Sequence, residues 1–467
     1  MKSKIIVLTA ICFTLNLNAQ RGYGISSAAY AYHHGGNGRV LSPDYIVEEE
    51  IFNYHTHKIE AANYNDPVKI SHQWGNDNVN SKTDEMILQI GISTHRAKNL
   101  DNIPPANLSL VVDVSGSMSG DRIEKSKEAM KEFVKQLRST DQVSLVLFGN
   151  QVSIPFKSQT IGDKKKLLEA IDNIEINGST NVHLGMKEGY KQVASTYLSN
   201  GNNRVIVFSD AMANTGIIDP NEILDDTKVY IKDIDLTFIG VGMAFNQDFA
   251  RQIKTRLRGH MHFVQDSKEI TKLFKEEVEQ FLAAPYGKDV TLSIEIPEQL
   301  TLSKLYGYDA SISGNKIELE LDDLQGGLTQ IFVLKLERNQ NYSGDIDPVK
   351  YGLTFDNHNG NKEIIAEESP KIEVLPNSDR YNKLENDEVK KNYCIAYMAS
   401  QLKEACITYK SDSDEDKYYQ RINQALASID SEYKTLDADL KYVYDLLSNQ
   451  TDSSKVPKNN LALNDTF

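Results

Sequence analysis

Asp113, Ser115 and Ser117 stand two apart in "DVSGSM" (113–118), directly after the apolar run "LSLVV". Alternate positions on one short turn bring a carboxylate and two hydroxyls together, and Gly116 keeps that turn tight. Two later residues extend the set. Thr180 in "NGSTN" (177–181) stands just before a helix-like segment, and Asp210 ends the apolar run "VIVFSD" (205–210). Carboxylates and neutral hydroxyls, with no His or Cys among them, are donors for a hard divalent cation. Mg²⁺ suits them best, with Mn²⁺ or Ca²⁺ as substitutes. Mg²⁺ takes six oxygens at about 2.0–2.1 Å and keeps some waters. The two serines, the threonine and waters held by the two aspartates would supply five positions. The sixth would be open. A cation held mainly by neutral hydroxyls keeps more of its charge, which favours an acidic side chain from a protein partner. The competing reading is local: Asp and Ser before a helix also serve as N-caps.

Such a site needs several strand ends on one edge. From about residue 105 apolar strands alternate with amphipathic helices. Strands are expected at 108–113, 142–149, 151–156, 203–210 and 235–242, with a short one at "HMHFVQ" (260–265). Helices are expected at 122–137, 164–174, 181–198, 220–232, 246–257 and 267–282. Near-continuous apolar strands separated by such helices indicate an α/β domain with a doubly wound, mostly parallel sheet covered on both faces. Ligands of such sheets lie beyond the carboxyl ends of the strands. Asp113, Thr180 and Asp210 all fall on that edge.

With these segments in place, "DVSGSM", "GSTN" and "SD" resemble the metal-ion-dependent adhesion site of the von Willebrand factor type A (VWA) family, over about residues 105–282. The resemblance implies a Rossmann-like fold. It implies a cation bound directly by Ser115, Ser117 and Thr180, with Asp113 and Asp210 acting largely through water. "VEEEIFNY" (47–54) and "PPAN" (104–107) add a likeness to bacterial secreted members of the family. One departure is Ala211, where many relatives have glycine. It alters the loop without removing an oxygen.

Other chemistries fit less well, and no catalytic residue is assigned. "GSMSG" has Met118 where a nucleophile elbow needs serine. Ser115 stands where an aspartyl-phosphate phosphatase needs its second aspartate. Neither a P-loop nor an H-E-x-x-H occurs. His55 with His57, and His260 with His262, form H-x-H pairs that lack a third ligand nearby; they read as surface or half-buried histidines, as do His33 and His34. "SDSDEDK" (411–417) begins like a calcium loop. However, Lys417 and Asn423 occupy the positions of its required Gly and Glu, so it reads as a solvated acidic linker.

The 467 residues exceed one ordinary domain. A net charge of −15 argues against a nucleic acid or an anionic membrane as partner. Lys2 and Lys4 precede the apolar run "IIVLTAICFTLNL", which is too short to span a bilayer. It reads as a signal peptide (1–19) cut after Ala19, and the protein as exported to the periplasm, the cell envelope or beyond. No later stretch reads as a transmembrane segment. Cys394 and Cys406 lie on one helix-like segment, about 18 Å apart along its axis, too far for a disulfide unless a turn intervenes.

Beyond the signal peptide the expected organisation has five parts. An N-terminal segment (20–104) carries a helix near 44–55 and the strand "EMILQIGIS" (85–93). The VWA-like domain (105–282) follows. Period-two strands then suggest a small antiparallel β-sandwich (285–376). A helical region (380–450) and a disordered tail (451–467) complete the chain. The favoured function is non-enzymatic, cation-dependent protein binding or adhesion. The alternative is an assembly scaffold whose β-sandwich and C-terminal helices make the main contacts. A metal-dependent hydrolase is the outsider.

Overall fold

A computed structural model describes residues 40–43, 46–53, 55, 57–76, 79–96, 105–199, 201–210, 213–227, 234–241, 260–264, 285–342, 344–357, 360–375, 384–429 and 437–450, with backbone alone at 220, 260–264 and 449. The expected signal peptide, the segment 20–39 with His33 and His34, the helices expected at 246–257 and 267–282, the side chains of His260 and His262, and the expected tail lie outside these residues.

The chain enters through helix α1 (Glu48–Asn53), strand β1 (Val68–Trp74), the short β2 (Val79–Asn80) and β3 (Glu85–Thr94). The α/β domain follows as β4 (Ala106–Asp113), α2 (Asp121–Gln136), β5 (Gln142–Phe148), β6 (Val152–Thr160), α3 (Lys165–Asp172), α4 (Val182–Ser195), β7 (Asn202–Ser209), α5 (Pro220–Thr227), β8 (Asp235–Val241) and β9 (His260–Val264). Its sheet runs β6-β5-β4-β7-β8-β9. Only β6 is antiparallel to its neighbour.

Strand alternation divides the core of this domain. Leu108, Leu110, Val112, Val143, Leu145, Ile206 and Phe208 meet Met130, Phe133 and Val134 of α2 on one face. Val111, Val146, Phe148, Val205 and Val207 meet Met186, Tyr190 and Val193 of α4 on the other. Both faces are therefore apolar, which is why the strands read as continuous runs. Helix α4 sits close to the sheet because of its glycines: a Cβ at Gly189 would stand 2.5 Å from Val111 Cγ2. Strands β4 and β7 are neighbours whose connections leave in opposite directions, to β5 and to β8. The crevice at their carboxyl ends is the switch point of the fold.

Strands β10 (Gly287–Glu295), β11 (Leu300–Leu305), β12 (Ser311–Ser313), β13 (Lys316–Leu321), β14 (Thr329–Arg338), β15 (Lys350–Asn357), β16 (Lys362–Glu368) and β17 (Val374–Leu375) come next. They form the expected antiparallel sandwich, with one difference. One sheet is β12-β13-β10-β15-β16, while the other is β1-β3-β14-β11. The sandwich thus takes strands from both sides of the α/β domain. Strand β3 is buried along nearly its whole length and needs a partner on each edge. Strand β14 supplies one, from Thr329↔Ser93 to Glu337↔Glu85.

Helices α6 (Asp387–Asp412), α7 (Glu415–Ala427) and α8 (Ala438–Asn449) pack with α1 on the far face of that second sheet. Ile87, Ile331 and Val333 turn towards these helices, while Leu88, Ile90, Phe332 and Leu334 turn into the sandwich. The acidic "linker" is shorter than expected. Helix α6 runs to Asp412, Ser413 adopts a left-handed φ of 53°, and the Asp414 carboxylate accepts the Lys417 N–H at 3.0 Å as the cap of α7. Cys394 and Cys406 share α6 and are free thiols. Among the described residues no helix is long and apolar enough to cross a membrane.

Candidate metal centre

Strand β4 carries Asp113 to the carboxyl edge of the sheet, where the ladder with β5 ends at Asp113↔Phe148. The Val114 N–H continues onto the Phe148 carbonyl at 2.9 Å, so the turn begins from a held backbone. The Asp113 Oδ1 accepts the Ser115 N–H at 2.9 Å. A single turn of 3₁₀ helix (Gly116–Met118) follows, and Met118 drops into the core as its anchor. This geometry leaves the Ser115 and Ser117 hydroxyls 3.0 Å apart. Two cis ligands of an octahedral ion with 2.0–2.1 Å bonds lie about 2.9 Å apart, so the pair has the spacing of one octahedral edge.

The Thr180 segment is fastened to this turn by backbone. The Gly116 N–H donates to Gly178 O at 3.1 Å, and the Asn177 N–H donates to Val114 O at 2.6 Å. Asn214, in the loop after β7, clasps Thr180 from the other side. Its Oδ1 accepts the Thr180 N–H at 2.9 Å, and its own N–H donates to Thr180 O at 3.1 Å. Asn181 then caps α4 by accepting the Leu184 N–H at 3.1 Å. The backbone of Thr180 is thereby fully engaged. Its hydroxyl is buried and has no hydrogen-bond partner. A buried hydroxyl left unpaired costs free energy unless a ligand takes it up.

Asp210 follows the last residue of β7 and is buried beside Asp113. The Ser209 hydroxyl donates to Asp113 Oδ2 at 2.5 Å. Burial pushes the Asp113 carboxyl up to about 6. The hydrogen bonds from Ser209 and Ser115 offset part of that rise, and the nearby Asp210 charge adds to it. Arg122, in the first turn of α2, donates from Nη1 to Ser117 O at 2.8 Å and lies 3.7 Å from Asp210 Oδ2.

All five residues expected from the sequence therefore lie on interlocked loops at one strand-end edge. Three hydroxyls and two carboxylates fit a hard cation by donor type, by the serine spacing and by the unpaired threonine. Among the described residues no group of three or more His, Cys, Asp or Glu is placed to hold a metal, so a cation at this edge would draw on the hydroxyls as well. Sequence reasoning missed Arg122, Ser209 and Asn214. Arg122 looked like an ordinary helix-surface residue, and its one signal was its place in the first turn after the motif loop. Exposed apolar side chains stand close in sequence to these residues: Ile176 before Thr180, Leu184 in the first turn of α4, and Ile218 beyond Asp210.

The H-x-H pair of the N-terminal segment does not lie at the surface as expected. His55 and His57 are buried where this segment meets the C-terminal helices. The His55 Nδ1 pairs with Asp439 at 3.2 Å. Burial first, and then the Lys391 charge, depress the His57 imidazole to about 3. It is a neutral core residue.

Comparison with known proteins agrees with the fold of the α/β domain. Residues 107–276 match the family model of the von Willebrand factor type A domain. The uncharacterized protein YfbK of Escherichia coli is 26% identical over 329 residues, covering 67% of this chain and 56% of that protein. The inter-alpha-trypsin inhibitor heavy chain H2 of Mus musculus is 29% identical over 193 residues, or 39% of this chain and 20% of that protein. The chain thus spans little more than half of one such relative and a fifth of the other. A solved von Willebrand factor type A structure from Catenulispora acidiphila is 14% identical, covers 81% of this chain and 89% of its own, and superposes with a TM-score of 0.55. That likeness speaks to the fold.

Proposed function

We propose that this chain, which carries a von Willebrand factor type A domain over residues 107–276, binds an acidic protein partner through a divalent cation. VWA domains commonly mediate metal-dependent protein–protein interaction. Ser115, Ser117 and Thr180 would hold the ion directly, and Asp113 and Asp210 through water. Mg²⁺ suits this donor set best, and Mn²⁺ or Ca²⁺ would substitute. When bound, the ion supplies a concentrated positive charge with a position for the partner's carboxylate. The observation that carries the reading is the buried, unpaired Thr180 hydroxyl, fastened beside a serine pair spaced at 3.0 Å.

We read the chemistry as binding and not catalysis: the serine pair has the spacing of cation ligands, and Met118 stands where a nucleophile elbow needs its serine. The apolar run after Lys2 and Lys4 supports export, which would place the site where an extracytoplasmic partner can reach it. A second reading, an assembly scaffold, has one observation in its favour: the sandwich takes strands from before and after the α/β domain in sequence, so both ends of that domain lead into one unit.

One experiment separates the two. The full chain, immobilised with Mg²⁺, is used to capture partners from the native cell-envelope fraction and is then eluted with EDTA. Under cation-dependent binding the partner elutes with EDTA, and a folded Asp113→Ala chain fails to capture it. Capture that survives both EDTA and Asp113→Ala sinks that reading and supports the scaffold.

A further inference from the structure

The candidate centre contains a cation of its own. The Arg122 guanidinium is held to the motif backbone by its bond to Ser117 O at 2.8 Å, and it stands 3.7 Å from the Asp210 carboxylate. Asp210 is almost wholly buried, whereas the Arg122 side chain is 36% exposed. The arginine therefore flanks the carboxylate from the solvent side. It bonds a main-chain carbonyl, so none of the three hydroxyls is consumed. Helix physics does not explain it, because a positive charge in the first turn opposes the helix dipole.

We propose that Arg122 sets the charge of the cation site, weakening its hold on the divalent ion and strengthening the loaded site's attraction for a partner's carboxylate. This rests on the cation-dependent reading above. Two ionised carboxylates and one guanidinium leave one net negative charge. A divalent ion converts that to one net positive charge, which still attracts an anion. Without the arginine the unloaded site carries two negative charges and the loaded site is neutral. The first state binds a cation more tightly, and the second attracts an anion less. Arg122 thus trades metal affinity for partner affinity, and its partial exposure leaves its remaining donors open to the same carboxylate.

The test uses the full chain, with Mn²⁺ alone as the first probe and acetate added to the Mn²⁺-loaded protein as the second. Both are followed by calorimetry on wild type, Arg122→Gln, Arg122→Lys and Asp113→Ala, after circular dichroism has confirmed folding. Arg122→Gln should bind Mn²⁺ roughly tenfold more tightly, the scale of one unit charge removed beside a divalent ion at a half-exposed position. The same variant should bind acetate several-fold more weakly. Arg122→Lys, which keeps the charge, should stay close to wild type for Mn²⁺. Opposite shifts for metal and anion cannot come from general loosening of the loop. Unchanged or weaker Mn²⁺ affinity in Arg122→Gln overturns the inference, as does Arg122→Lys behaving like Arg122→Gln. Wild-type binding that Asp113→Ala abolishes but Arg122→Gln leaves untouched overturns this inference alone. Absence of Mn²⁺ binding in wild type and Arg122→Gln alike overturns the cation-dependent reading with it.

Discussion

Replacing Asp113 with Asn removes a charge and keeps the shape. In the folded chain the carboxyl is buried and titrates at about 6, against 3.8 for the free group. Between those two values the folded state holds a proton that the unfolded state has released. Stability of the metal-free protein therefore falls as pH rises from about 4 through about 6, and the full cost is present above that range. A shift of roughly two units corresponds to about 3 kcal/mol. Asn can still accept the Ser115 N–H, and the Ser209 hydroxyl can turn to accept from the new amide. In EDTA at about pH 8 the Asp113→Asn chain should be more stable by up to about 3 kcal/mol, and at about pH 4 the two should coincide. For a domain of this size that is a shift of about 6–12 °C in midpoint. Saturating Mg²⁺ should reverse the ranking, because only wild type gains from ligand linkage. Far-UV circular dichroism is the suitable signal, since the sole tryptophan, Trp74, lies in the sandwich. Midpoints serve better than extrapolated free energies in a chain of several domains. Parallel pH profiles for the two proteins in EDTA would refute the burial argument. So would an Asn chain less stable than wild type at the higher pH.

Gly189→Ala places a methyl 2.5 Å from Val111 Cγ2 and 3.1 Å from Val205 Cγ1, so it should destabilise the α/β domain, by roughly 1–3 kcal/mol in urea unfolding. Asp235 pairs with the buried Arg204 and with Lys288 of β10, each at 3.2 Å. Asp235→Asn removes the carboxylate bonded to this arginine and leaves Asp323 as a remaining acidic neighbour, so it should cost less than the loss of a lone buried ion pair would, about 1–3 kcal/mol, seen as a lowered thermal midpoint. The His57 imidazole is neutral in the folded chain and titrates at about 3, against 6.5 when free. Its stabilising contribution is full above the free value and is lost as pH falls from there towards about 3, at roughly 1.4 kcal/mol per pH unit. A His57→Leu chain should lack that component when thermal midpoints are compared across this range. The Asp113 and His57 effects run in opposite directions with pH, so each is read as a difference between variant and wild type.

The α/β domain was legible because its strands are buried on both faces, and each is one uninterrupted apolar run such as "LSLVV" or "VIVF". The five candidate residues could be grouped from the sequence because strand ends in such a sheet share an edge. What the linear pattern hides is pairing over distance. Nothing in "EMILQIGIS" says that its partner begins more than two hundred residues later at Thr329. Strands β1, β11 and β16 escaped notice because "VKISHQW" alternates but turns polar in its second half, a bulge breaks "LTLSKL" after Leu302, and "KEIIAEE" is an edge strand exposed along almost all its length. His55 and His57 were misplaced because their burial depends on helices more than three hundred residues away, where Asp439 and Lys391 reside. Arg122 was invisible as a site residue because its carboxylate neighbour arrives from β7, not from its own helix.

On the proposed function the Thr180 hydroxyl, buried without a partner, is reserved for a cation. Mn²⁺ binding to the full chain, measured by electron paramagnetic resonance on wild type and Thr180→Val, tests it most directly. Wild type should bind a single ion. The valine chain should lose roughly tenfold or more in affinity, with a midpoint in EDTA unchanged or higher because an unsatisfied polar atom has gone. Equal Mn²⁺ affinity in the two proteins, or none in wild type, would contradict it.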